Sequence, residues 1–166
     1  MTERYKDRKE AGGRLAHALR AYQEASGAVV LGLARGGLPV AYEVATALDI
    51  PLDVMTVRKL GVPGHDEMAM GAIASGGVRV MNEQVVSRLG ISEDEIERTA
   101  HEEFAELQRR EQRYRPDRER LDLTGQTAIL VDDGLATGAT MRAAVDAARQ
   151  LGAPHVIVAA PVASTQ

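Results

Sequence analysis

The sequence contains no cysteine and no tryptophan, and aromatic residues make up only 3% of its 166 residues. The absence of cysteine excludes disulfide bonds, thiolate metal ligands and a cysteine nucleophile. No apolar run approaches the roughly 18 residues that a membrane-spanning helix needs, and the first ten residues, "MTERYKDRKE", are too polar for a signal peptide. We therefore predict a cytoplasmic protein that does not associate with membranes.

Basic residues are outnumbered, because 20 lysines and arginines stand against 24 aspartates and glutamates. The formal net charge is −4, so general attraction to nucleic acid is not expected, and a site for an anion must be built locally. Lysine occurs only at Lys6, Lys9 and Lys59, and arginine supplies the remaining positive charge. The arginine-rich stretch "RREQRYRPDRER" (residues 109–120) is interleaved with acidic residues. This pattern predicts a salt-bridged, exposed helix end and no nucleic-acid surface.

The length and the 45% hydrophobic content predict one domain over residues 1–166. Apolar runs at 28–33, 51–57, 127–131 and 155–162 are typical of strands that are buried on both faces of a parallel sheet. Helical spacing predicts helices over 10–25, 38–48, 92–115 and 138–151, and the pair Ser92 and Glu95 predicts a capping box. The alternation indicates an α/β fold with an open, mostly parallel, twisted sheet flanked by helices.

The segment between the second and third of these strands carries different signals. Gly61, Pro63 and Gly64 predict that residues 58–71 form a long, mobile loop. The next stretch, "GAIASGGVRVMN", predicts a hairpin that turns at residues 75–77, and Asn82 can cap a short helix that ends at Gly90. We therefore expect a flexible loop and an antiparallel hairpin attached to the parallel sheet.

The stretch "AILVDDGLATGAT" (residues 128–140) carries the clearest chemical signal. It places Asp132 and Asp133 directly after a buried strand, at the edge where ligands bind in open α/β sheets. The next helix begins near Gly138, so its unpaired N–H groups and the hydroxyls of Thr137 and Thr140 favour a phosphate. The two carboxylates beside that phosphate suit sugar hydroxyls or a divalent cation. A receiver-domain or Walker B aspartate pair is the alternative, but neither explains the T-G-A-T that follows.

This stretch resembles the phosphoribosyl pyrophosphate (PRPP) signature of the type I phosphoribosyltransferases. "LARGG" (residues 33–37) stands where that family has its first pyrophosphate loop, and "VRKLGVPGHDEMAMG" stands where it has its flexible active-site loop. The combination of "YKDRKEAGGRLA", "RKLGVPG" and "DDGLATGATMRAA" is similar in particular to a bacterial subgroup of phosphoribosyltransferases with unassigned substrates. The resemblance covers essentially the whole chain and implies the family's α/β fold with a partial hood, the subdomain that recognises the base.

The resemblance also implies a reaction and a set of roles. PRPP, bound with Mg²⁺, would transfer its ribose-5-phosphate to a nitrogenous base and release pyrophosphate. Ala136, Thr137, Gly138, Ala139 and Thr140 would bind the 5′-phosphate. Asp132 and Asp133 would bind the ribose hydroxyls, directly or through Mg²⁺. Arg35, Gly36 and Gly37 would bind the pyrophosphate, in a loop where family members often have a non-proline cis peptide, and Lys59 could add a second positive charge.

The sequence departs from the family pattern at the acceptor. Many 6-oxopurine enzymes have an acidic residue before the T-G, where this chain has Ala136, and the last strand lacks the lysine of those enzymes. Adenine-like bases are therefore slightly favoured, and Glu67 is the candidate acid/base group. The chain ends soon after the fourth strand, as expected for a fragment or one domain of a longer protein. A non-catalytic PRPP or nucleotide sensor with the same fold is the alternative function, and a homo-oligomer is compatible with either.

Overall fold

The computed structural model describes residues 4–117 and 119–165. Its strands and helices follow in the order α1 (Arg8–Ala18), β1 (Ala28–Leu33), α2 (Gly37–Leu48), β2 (Leu52–Met55), β3 (Val57–Val62), β4 (His65–Ala74), β5 (Val78–Met81), α3 (Glu83–Leu89), α4 (Glu93–Tyr114), β6 (Thr127–Val131), α5 (Ala139–Gln150) and β7 (His155–Ala159). The strands form a four-stranded parallel sheet in the order β2-β1-β6-β7 and a three-stranded antiparallel sheet in the order β3-β4-β5. The predicted α/β class is confirmed.

The parallel sheet is covered on both faces, which explains why its central strands are continuous apolar runs. Every residue of β1 is buried, and so are four of the five residues of β6. Along β1 and β6, successive side chains point to opposite faces of the sheet. Those on one face pack against α1 and α2, and those on the other face pack against α5. This central pair of strands ends at one edge of the sheet, where the two glycine-containing loops of the sequence follow them.

The helix signals are confirmed with small shifts of their ends. The capping box forms at the start of α4, where the Ser92 side chain accepts from the Glu95 N–H and the Glu95 side chain accepts from the Ser92 N–H. Asn82 caps α3, which ends at Gly90 in the left-handed conformation. The predicted helix over 10–25 is shorter, because α1 ends at Ala18 and a single 3-10 turn follows.

The prediction of a long irregular loop over residues 58–71 is wrong. Most of this segment lies in β3 and β4, which pair antiparallel through a turn at Pro63 and Gly64, with an irregular register around Gly61. Leu60, Val62 and Met70 are buried against α3 and α4. The density of glycine and proline obscured this pattern, since the glycines mark a bulge and a turn here.

The predicted single strand over residues 51–57 is also divided. β2 ends at Met55, and the buried Thr56 separates it from β3 in the other sheet. The N–H of Thr56 donates to Ser75 Oγ at 2.8 Å, and the N–H of Ser75 donates to the carbonyl of Thr56 at 2.9 Å. This pair of bonds fixes the point at which the chain passes from the parallel sheet to the antiparallel one.

No helix among the described residues is long and apolar enough to cross a membrane.

Candidate active site

The loop between β6 and α5 has the geometry of an anion site. Gly138 adopts the left-handed conformation directly before α5, with φ at 76°. The hydroxyl of Thr137 accepts from the N–H of Ala139 at 3.3 Å. Within residues 4–117 and 119–165, the N–H groups of Thr137, Gly138 and Thr140 have no acceptor. Unpaired N–H groups at a helix N-terminus attract a phosphate, so this phosphate loop (residues 136–140) can bind one.

The C-terminal segment supports the phosphate loop from outside, which the sequence did not indicate. The N–H of Leu135 donates to the carbonyl of Val162 at 3.0 Å, and the N–H of Ser164 donates to the carbonyl of Leu135 at 2.8 Å. The Ser164 hydroxyl donates to the carbonyl of Ala136 at 2.6 Å. Within residues 136–140 these bonds use only the carbonyl of Ala136, so they leave the N–H groups of Thr137, Gly138 and Thr140 for a ligand.

The two aspartates that precede this loop are close together and partly buried. Asp132 Oδ1 accepts from the N–H of Asp133 at 2.8 Å. Burial raises the pKa of the Asp132 carboxyl above its ordinary value; the hydrogen bond from the Asp133 N–H opposes this rise, and the negative charge of Asp133 adds to it. A cation between the carboxylates would remove the repulsion and favour the ionised form.

The arginine–glycine loop (residues 35–37) contacts this acidic pair directly. It begins with a cis peptide bond between Ala34 and Arg35. A Cβ atom on Gly36 would lie 2.7 Å from Asp133 Oδ2, and one on Gly37 would lie 2.6 Å from the carbonyl oxygen of Val131. Only glycine allows so close an approach of two backbones. The structure therefore brings residues 35–37 and 132–133 together, although about a hundred positions separate them in the chain.

Two arginines near the site were missed by the sequence reasoning. Arg8 donates to Asp133 Oδ2 through Nη2 at 3.0 Å, and its side chain is 60% exposed. Arg142 donates through Nη2 to the carbonyl of Thr137 at 3.1 Å, at the start of α5. The only signal for either was its place inside the stretches "YKDRKEAGG" and "TGATMRAA". Both guanidinium groups lie where they could contact an anionic ligand.

A cavity of about 710 Å³ opens between the antiparallel sheet and the start of α5. Lys59, Ala139 and Thr140 are among its lining residues, so Lys59 shares a cavity with the phosphate loop. Lys59 Nζ also donates to the carbonyl of Asp66 at 3.2 Å, across the β3–β4 hairpin. Glu67 is exposed on β4 near the turn and, within the described residues, is not part of this lining. The structure thus places residues 35–37 against the acidic pair and Lys59 beside the phosphate loop, and it leaves Glu67 outside both groups.

The acidic pair fits a magnesium ion that arrives with a phosphorylated ligand. Mg²⁺ is usually bound by one or two protein carboxylates together with substrate phosphates and water. Asp132 and Asp133 supply that set of oxygen atoms. Across the described part of the chain, no group of three or more His, Asp or Glu residues could hold a metal ion by itself.

Comparison with known proteins identifies the family of the chain. The family model described as "Phosphoribosyl transferase domain" matches residues 1–166. The chain belongs to the type I phosphoribosyltransferase family. Among its relatives in this family, the Mycobacterium tuberculosis protein named "Putative phosphoribosyl transferase Rv0571c" is 49% identical over 158 residues. That match covers 95% of this chain, and the chain spans 35% of the length of that protein.

Solved structures support the phosphoribosyltransferase fold of the chain. TT1426 from Thermus thermophilus is similar with a TM-score of 0.84 and 43% identity, which covers 97% of this chain and 76% of that one. A purine phosphoribosyltransferase from Pyrococcus horikoshii is similar to this chain with a TM-score of 0.54 and 22% identity. That match covers 95% of this chain and 74% of the other one. At that identity the second likeness shows the fold alone.

Proposed function

We propose that this phosphoribosyltransferase domain transfers the ribose-5-phosphate of PRPP to a nitrogenous base and releases pyrophosphate. The contact between the arginine–glycine loop and the acidic pair is the observation that carries the proposal. The proposal is supported by the N–H groups of the phosphate loop, which have no acceptor among the described residues, and by the backbone of residues 36–37, which lies against the acidic pair. PRPP presents a phosphate, vicinal hydroxyls and a diphosphate, which are the groups that such residues bind.

Each part of the site has a role in this proposal. The phosphate loop binds the 5′-phosphate, and the carboxylates of Asp132 and Asp133 bind the ribose hydroxyls. Mg²⁺, when bound with PRPP, offsets the charge of the diphosphate beside the same carboxylates. Arg35 and the N–H groups of Gly36 and Gly37 bind the diphosphate and stabilise the charge that develops on it as it leaves.

The β3–β4 hairpin contributes the remaining roles. Lys59 supplies a positive charge next to the phosphate loop, and closure of the hairpin excludes water from the reacting carbon. Glu67 is our candidate for the group that accepts or donates a proton at the acceptor nitrogen, because Ala136 cannot do so. Closure has to move Glu67 toward the site, since it is exposed in the structure. The Glu67→Gln variant, measured with an accepted base, tests that role.

The decisive experiment is an assay of pyrophosphate release with Mg²⁺, PRPP and a panel of bases, beginning with adenine and other purines. Release that requires one base supports the transferase. PRPP binding without release from any base supports the alternative, a PRPP- or nucleotide-sensing regulator with this fold. The exposed position of Glu67, outside the lining of the site, is the observation that favours the regulator.

The acidic pair gives a direct test of the ribose site. We expect Asp132→Asn combined with Asp133→Asn to weaken PRPP binding about 10-fold, because the amides bind neither sugar hydroxyls nor Mg²⁺ as strongly as carboxylates do. Titration calorimetry with and without chelator measures the change. The control is Glu93→Gln with Asp94→Asn, which removes two negative charges from the first turn of α4. Equal affinity of the site variant and the wild type would refute the role of the pair.

The β3–β4 hairpin is expected to change its hydrogen exchange when PRPP binds. Residues 61–70 contain the irregular register and the exposed residues His65, Asp66 and Glu67, so their amides should exchange much faster than those of β1. Addition of Mg²⁺ and PRPP should slow exchange in the hairpin and leave β1 unchanged. Strong protection of residues 61–70 without ligand would contradict the closing motion.

A further inference from the structure

A second cavity, of about 550 Å³, lies between the arginine–glycine loop and the end of α4. It is lined by Arg35 and Gly36 from that loop and by Glu106, Arg109, Arg110, Arg113 and Tyr114 from the last turns of α4. Its volume is within the range of sites that bind small molecules. Three arginines of α4 therefore line a cavity that also borders the arginine–glycine loop.

The charges in this cavity are unbalanced. Four guanidinium groups face the single carboxylate of Glu106, in a chain whose net charge is −4. Arg109 and Arg110 both pair with Glu106, as the sequence pattern predicts. Among residues 4–117 and 119–165, the side chains of Arg35 and Arg113 have no hydrogen bond or ion pair. Clustered guanidinium groups without counter-charge repel one another unless an anion binds between them.

We propose that Arg109, Arg110 and Arg113 of α4 form, together with Arg35, a binding site for an oligophosphate. Guanidinium groups bind phosphate oxygens through paired N–H donors, and two or more can contact one diphosphate. Tyr114 also lines the cavity, and a tyrosine hydroxyl can donate to a phosphate oxygen. Of the three α4 arginines, Arg113 contributes most of the binding, because Arg109 and Arg110 already pair with Glu106.

Two sources of this ligand are distinguishable. One is the diphosphate of PRPP. In that case the α4 arginines are further residues of the diphosphate site, and the inference rests on the proposed function. The other is a free oligophosphate that binds beside PRPP. Because Gly36 lines this cavity and also lies against Asp133, a free oligophosphate and the diphosphate of PRPP would influence each other's binding.

The experiment uses the whole chain and titrates inorganic pyrophosphate, PRPP and a nucleoside monophosphate separately. We expect Arg113→Gln to weaken pyrophosphate binding about 10-fold and to leave nucleoside monophosphate binding unchanged. Arg98→Gln is the matched control, because Arg98 is exposed on the same helix and outside the cavity lining. Circular dichroism of both variants verifies that α4 is intact.

The outcomes separate the two sources and the two proposals. An equal loss for PRPP and pyrophosphate, with pyrophosphate displaced by saturating PRPP, assigns the site to the diphosphate of PRPP. A loss for pyrophosphate alone, with both ligands bound together, assigns it to a free oligophosphate. Unchanged pyrophosphate affinity in Arg113→Gln, or an equal loss in Arg98→Gln, overturns the site. Pyrophosphate binding that depends on Arg113 in a protein that does not bind PRPP would reject the transferase and retain the anion site.

Discussion

Replacing Arg35 by alanine is expected to weaken PRPP binding by roughly 10- to 150-fold, which corresponds to the loss of about 1.5–3 kcal/mol for a hydrogen bond to a charged group. The reason is that Arg35 is the charged group of the loop that contacts the acidic pair. Only PRPP carries a diphosphate, so binding of a nucleoside monophosphate should change less than 3-fold, which is within about 0.7 kcal/mol. Titration calorimetry with both ligands measures the difference.

The control for this prediction is Arg88→Ala, which removes one exposed arginine from α3. It should leave both affinities unchanged. Equal losses for PRPP and for the monophosphate in Arg35→Ala would mean that Arg35 supports the shape of the site and does not bind the diphosphate.

The variant Gly37→Ala is expected to lower both stability and PRPP binding. The new Cβ atom would lie 2.6 Å from the carbonyl oxygen of Val131 and 2.9 Å from the Cα atom of Asp132. Both are backbone atoms at the end of a central strand, so they cannot move aside without disturbing the sheet. Overpacking of this kind costs about 1–3 kcal/mol, which lowers the melting temperature of a domain of this size by roughly 2–12 °C.

Gly13→Ala is the matched control for Gly37→Ala. Gly13 lies within α1, and an added Cβ atom there meets no heavy atom within 4 Å. Because alanine is favoured over glycine inside a helix, this variant should keep or raise the melting temperature by the equivalent of roughly 0.5–1 kcal/mol. A Gly37→Ala protein with the melting temperature and PRPP affinity of the wild type would show that the two loops do not need their close contact.

Most of the regular structure could be predicted from the sequence because its signals are local. The strands of the parallel sheet are apolar runs, and α4 begins at a capping box whose two bonds both form. The β3–β4 hairpin was missed because its local signals favour a loop, whereas the contacts that make it a sheet come from distant helices. Gly61, Pro63 and Gly64 favour a loop, whereas the burial of Leu60 and Val62 that makes it a sheet depends on α3 and α4.

The sequence by itself determined the family, the α/β fold and the position of the phosphate loop, because a strand, two aspartates and a T-G-A-T turn are contiguous and act through neighbouring atoms. Only the tertiary structure decided what surrounds that loop. Arg8 meets Asp133 across 125 positions, and Gly36 packs against the same carboxylate. The α4 arginines face Arg35 only because α4 packs on the antiparallel sheet. Such contacts form because the packing of buried apolar faces brings together segments that are distant in the chain. A local pattern of residues does not predict which distant segments will meet.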